Sequence, residues 1–116
     1  MKKLLYCMMA LLCAACMPQK PAKTESAEIA MLVGTYTDGG SKGIYTFRFN
    51  QETGVSTALN SFELPNPSSL AVSEDGQFVY AVSEMDGKQA AVNALSFDKT
   101  TGELRLLNSE PTLSAG

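Results

Sequence analysis

The chain has 116 residues, nine basic against twelve acidic, and a formal net charge of −3. That length holds one small domain, and without a basic stripe it offers no electrostatic footprint to nucleic acid or anionic lipid headgroups. It contains no histidine, which excludes histidine acid–base pairs, Ser-His-Asp triads and His-Glu-x-x-His zinc sites within it.

The first segment reads as a targeting signal rather than as fold. Lys2-Lys3 gives a positive n-region, Leu4–Leu12 an apolar h-region, and Cys13-Ala14-Ala15 a run of small residues before Cys16. An apolar run this short does not span a bilayer comfortably. The stop at Cys16 resembles a bacterial lipobox, in which the cysteine is lipidated and becomes the new N-terminus, although Cys13 stands where that motif usually has Leu. The expectation is a signal helix over 1–15, lipidation at Cys16, and an exported chain held to the membrane by lipid alone, facing the periplasm or the cell surface. A plain signal peptide cleaved nearby is the alternative. Cys7, Cys13 and Cys16 are the three cysteines, so a chain starting at Cys16 has no disulfide partner. Residues 16–28 are polar, carry Pro18 and Pro21, and read as a flexible tether.

From Ile29 onward no helical period appears. Short apolar runs alternate with glycine and acidic turns, predicting strands over Ile29–Tyr36, Gly43–Phe49, Ser56–Leu64, Ser68–Ser73, Phe78–Ser83, Ala91–Phe97 and Glu103–Asn108. The hairpin formed by Ser68–Ser73 and Phe78–Ser83 turns at Asp75-Gly76, a pair suited to positive φ. Phe78-Val79-Tyr80-Ala81-Val82 is nearly all apolar, which predicts a strand covered on both faces.

The chain also repeats itself. Phe49–Gly54 answers Phe97–Gly102 at an offset of 48 residues, and the same offset pairs Asp38-Gly39 with Asp86-Gly87, Ile44 with Val92, and Leu59-Asn60-Ser61 with Leu107-Asn108-Ser109. A period of about 40–50 residues in a strand-only chain is the signature of β-propeller blades, four strands each. Ser68–Ser73, Phe78–Ser83, Ala91–Phe97 and Glu103–Asn108 are then strands a to d of one blade, counted outward from the ring centre. The first unit begins at b, because Lys20–Glu25 is too polar for a buried strand a. The expected architecture is all-β: residues 29–116 form under two blades of a propeller, an N-terminal fragment that needs the remaining blades to close the ring.

Met31-Leu-Val-Gly-Thr-Tyr-Thr, Gly43-Ile-Tyr-Thr-Phe and Asn50–Gly54, followed by Asn66-Pro-Ser-Ser-Leu-Ala, Ser73-Glu-Asp-Gly and Val79–Glu84, resemble the opening of the seven-bladed lactonases, the 6-phosphogluconolactonase-like propellers. The resemblance covers Met31 to Gly116. It implies hydrolysis of a sugar lactone to its aldonic acid, in the standard case 6-phosphogluconolactone to 6-phosphogluconate, with no cofactor. An export signal departs from a cytoplasmic enzyme and favours an extracytoplasmic lactone or another ligand. The alternative is a non-catalytic propeller binding protein or glycan.

Lactone opening needs a base or activated water and donors for the oxyanion. No catalytic residue of the family is identifiable in these two repeats, so the fragment alone is expected to be inactive. No acidic run has calcium-loop spacing, and no metal site is expected. In a propeller the d–a and b–c connections share the funnel face, here Leu64–Ser68, Tyr36–Lys42 and Glu84–Ala90. The candidates facing substrate are therefore Tyr36, Lys42, Asn66, Glu84 and Lys88. Glu84 would serve as a base or bind a sugar hydroxyl, or else cap a turn. Lys42 and Lys88 would meet an anionic substrate or simply be solvated. Asp38 and Asp86 precede glycine in both repeats and are read as turn formers.

Overall fold

The computed structural model describes residues 26–112. The signal over 1–15, Cys16 and nearly all of the tether fall outside them. Two antiparallel sheets result. The first takes β1 (Glu28–Gly34), β2 (Gly43–Asn50) and β3 (Ser56–Glu63) in that order. The second takes β4 (Leu70–Val72), β5 (Phe78–Ser83), β6 (Ala91–Asp98) and β7 (Glu103–Pro111), also in chain order. This is the expected all-β propeller fragment: strands b, c and d of one blade, then a to d of the next.

The repeat extends to the irregularities. The β2–β3 ladder shifts register between Thr46 and Phe47, and the β6–β7 ladder between Ala94 and Leu95, positions 48 apart. The outer hairpins match as well. Asn50 Oδ1 accepts from the amides of Glu52 and Thr53, and Asp98 Oδ1 from those of Thr100 and Thr101. These Asx caps are what short polar side chains offer a turn. Both turns close on a glycine at φ 75, Gly54 and Gly102. At the inner hairpin Gly76 has φ 72 and its amide reaches Ser73 O at 2.8 Å, so Asp75-Gly76 forms the tip as expected.

The two sheets pack face to face. Ile44 from β2 and Leu64 after β3 meet Val79, Ala81, Leu95, Phe97 and Leu104 of the second sheet, all buried. Ala30, Leu32, Phe62 and Leu70 flank them. Thr46 is buried between the sheets, and its hydroxyl is satisfied by Gly102 O at 2.8 Å. A side chain at Gly102 would collide with Thr46 Oγ1 and lie 2.7 Å from Leu59 Cβ, so the second blade's outer turn fits the first blade only without one.

Three expectations are corrected. β4 spans Leu70–Val72 rather than Ser68–Ser73, because Ser68 turns back to Asn66 O at 2.8 Å and Ser73 closes the hairpin through its main chain to Phe78. β7 continues through Pro111 beyond the expected Asn108. Finally, β1 spans Glu28–Gly34 rather than Ile29–Tyr36. The two faces of β5 differ, the second being the side that a following blade would take. Val79 and Ala81 are buried against the first sheet, while Phe78 and Tyr80, which alternate to the other face, remain 37% and 46% exposed. Among the described residues no sheet lies against that second face.

Candidate functional site

Three connections meet at one end of the paired sheets: the loop after β1, the β3–β4 loop and the segment leaving β5. Asn66, in the β3–β4 loop, joins them. Its Oδ1 accepts from Thr37 N at 2.8 Å and from Thr37 Oγ1 at 2.9 Å. Its Nδ2 donates to Glu84 O at 3.2 Å and contacts Met85 Sδ at 3.3 Å. Its own carbonyl accepts from Ser68 N and Glu84 N at 2.8 and 3.0 Å. This geometry requires φ 42, the one positive φ of a non-glycine residue among those described, and Asn tolerates that region better than most side chains. The next residue, Pro67, is fully buried, with its carbonyl against Gly34 where a Cβ would not fit.

On this junction Tyr36 and Glu84 come together: the phenol donates to Glu84 Oε2 at 2.8 Å. The two stand 48 residues apart, so residues at equivalent positions of consecutive blades touch across the seam. The Ser68 hydroxyl, and after it the Tyr36 phenol, hold the Glu84 carboxyl below the usual glutamate range. The same bond, with the charge of Glu84 behind it, raises the Tyr36 phenol. At neutral pH the pair is thus a phenol bonded to an ionised carboxylate, both open to solvent. A carboxylate with lowered basicity is a weak proton acceptor toward water and a good acceptor for ligand hydroxyls.

The loop after β1 has its own bracing. Thr35 Oγ1 meets Ser41 Oγ and Gly43 O at 2.5 and 2.8 Å. The Tyr45 hydroxyl accepts from Ser41 Oγ and Lys42 N at 3.1 and 2.9 Å. Those donors, Ser41 first, lower the Tyr45 phenol.

Of the five candidates, the structure brings Tyr36, Asn66 and Glu84 into one network. Lys42 instead lines an open cavity of about 420 Å³ with Thr37, Ser41, Glu63 and Leu64. Lys88 sits in a single 3-10 turn, Gly87–Gln89, introduced by Asp86. Neither ammonium forms an ion pair among the described residues. Asp38 lies inside the turn closed by Gly40 N to Thr37 O at 3.3 Å. Thr37, Ser68 and Met85 belong to the network and escaped the sequence reading; their sole signal was adjacency to Tyr36, Asn66 and Glu84. No group of three or more Cys, Asp or Glu side chains among the described residues is placed to hold a metal ion.

Comparison with known proteins places the chain in a family. Residues 30–116 match the family described as Lactonase, 7-bladed beta-propeller. The chain belongs to this lactonase family. A 6-phosphogluconolactonase of Bacillus subtilis is 39% identical over 79 residues, covering 67% of this chain and 22% of its own length. Among solved structures, a candidate 6-phosphogluconolactonase from Bacteroides uniformis shares 66% identity at a TM-score of 0.75, over 77% of this chain and 26% of that one. A second, from Bacteroides fragilis, shares 57% at 0.76, over 83% and 27%. The periplasmic gluconolactonase of Pseudomonas aeruginosa is 30% identical at 0.67, over 75% and 25%. The lactonase chain described here therefore spans about a quarter of the solved relatives it matches.

Proposed function

We propose that this chain is the opening part of an exported lactonase propeller that hydrolyses a sugar lactone to the aldonic acid. The observation that carries the reading is the lactonase family match across residues 30–116. In that reaction the oxygen of water attacks the lactone carbonyl. The ring C–O bond breaks, and the departing alkoxide takes a proton to become a hydroxyl. The attacking water needs a base, and the carbonyl oxygen needs donors; the remaining blades of the parent supply them and close the ring. Tyr36, Glu84 and Ser68 form part of the funnel wall, where the ionised carboxylate accepts bonds from sugar hydroxyls rather than activating water. The two repeats alone are inactive.

The relative named a periplasmic gluconolactonase supports an extracytoplasmic site and a lactone without phosphate, and the Lys2–Cys16 signal supports export with a lipid anchor at Cys16. The test is proton release, followed by pH-stat, from gluconolactone and from 6-phosphogluconolactone with the complete parent protein. The reading predicts release above the buffer rate, faster with gluconolactone. A complete protein that opens neither lactone overturns it in favour of a binding propeller.

A further inference from the structure

We infer that Asn66 is a positioning residue: it clamps the ends of β1 and β5 together and so sets the Tyr36–Glu84 contact on which a hydroxylated ligand would rest. The clamp reaches the segments that leave both strands. Toward β1, Asn66 Oδ1 holds the amide and hydroxyl of Thr37, the residue after Tyr36. Toward β5, Asn66 Nδ2 and O hold both main-chain groups of Glu84. The carbonyl of Asn66 also fixes the amide of Ser68, and the Ser68 hydroxyl lowers the Glu84 carboxyl.

Tyr36, Glu84 and Ser68 therefore take their positions from one residue. None of them is buried, so core packing does not hold them there. The bond between Tyr36 and Glu84 spans two blades, and its length depends on the relative placement of two strand ends. An amide side chain suits this task because it donates and accepts at once. Here it does so on opposite sides of the seam. Substitution by glycine keeps the φ 42 conformation at no steric cost and removes the side-chain half of the clamp.

The significance for a ligand rests on the lactonase reading, but the test needs no lactone. The full chain is labelled with ¹³C at the tyrosine Cζ, the Tyr36 signal is assigned by its loss in Tyr36→Phe, and the phenol is titrated. Glu84 and Asp38 are the charges that act on it. In the wild type Tyr36 titrates above the ordinary tyrosine value of about 10. In Asn66→Gly its midpoint is expected to fall back toward that value, with amide exchange protection of β5 and β6 retained. An unshifted midpoint in folded Asn66→Gly overturns the proposal. Should the glycine variant not fold, Thr37→Val loosens the same clamp from its other end, removing the hydroxyl and leaving the amide of the two donors to Asn66 Oδ1. A fall in the same direction then supports the inference, and an unmoved midpoint overturns it. If the titration shifts as expected while the complete protein opens no lactone, the positioning role stands and only the activity reading fails.

Discussion

Gly54 and Gly102 provide a matched pair for measuring how tightly the two blades pack. They occupy equivalent turns, and both have φ 75. An alanine at either position meets the same backbone cost, roughly 1–2 kcal/mol for a left-handed residue with a Cβ. Their surroundings differ. Nothing lies within 4 Å of a Cβ at Gly54, whereas one at Gly102 would strike Thr46 Oγ1 and sit 2.7 Å from Leu59 Cβ. Overpacking of that kind adds about 1–3 kcal/mol. Displacing the buried Thr46 hydroxyl from Gly102 O adds up to about 1–3 kcal/mol more if it is left unpaired. Gly54→Ala is thus expected to cost about 1–2 kcal/mol and Gly102→Ala about 2–8, the difference reporting the interblade contact alone. Urea unfolding of the two variants beside the wild type reads this as a shift in midpoint at constant slope. Equal losses at the two sites would refute the packing of the second blade's turn against Thr46 and Leu59.

Leu95 is fully buried between the sheets, and Leu95→Ala is expected to lower stability by about 2–5 kcal/mol in the same assay. A loss below about 1 kcal/mol, the range of surface substitutions, would contradict its place in the core. Asp98 is held below the usual aspartate range by the Thr100 amide and, next, that of Thr101. Its contribution is therefore fully present above the unfolded value of about 3.9 and lost as pH falls through the lower folded value. Asp98→Ala should destabilise at neutral pH, and its deficit should shrink in thermal melts under strong acid; a deficit that grows there would reverse the sign. Tyr36→Phe removes one of the two hydroxyls that lower Glu84. The Glu84 carboxyl, followed by ¹³C chemical shift, is then expected to titrate higher than in the wild type but still below an ordinary glutamate, because Ser68 remains.

Much of the fold was legible because its signals are local and occur twice. Asn50 and Asp98 begin matching turns that end on Gly54 and Gly102, and those turns fix which strands pair. The length of β4 was not legible. Pro67, Ser68 and Ser69 look extended in sequence, yet the left-handed Asn66 turns Ser68 back onto its own carbonyl. Phe78 and Tyr80 read like Val79 and Ala81 but face away from the first sheet, toward the side a following blade would take. At the site, Tyr36, Asn66 and Glu84 could be proposed from their places in loops between strands. Their mutual bonds could not, because a 48-residue offset shows equivalence and does not show that equivalent residues touch. Thr37 and Ser68 carry no chemical signature of their own and gain a role only through Asn66 and Glu84.

The most direct test of the account is steady-state gluconolactone hydrolysis by the complete protein carrying Glu84→Gln. A carboxylate that holds sugar hydroxyls contributes charge-assisted bonds, so KM is expected to rise about tenfold with kcat nearly unchanged. Unaltered KM and kcat would show that substrate does not touch this seam, and a collapse of kcat at constant KM would make Glu84 a base rather than a binding group.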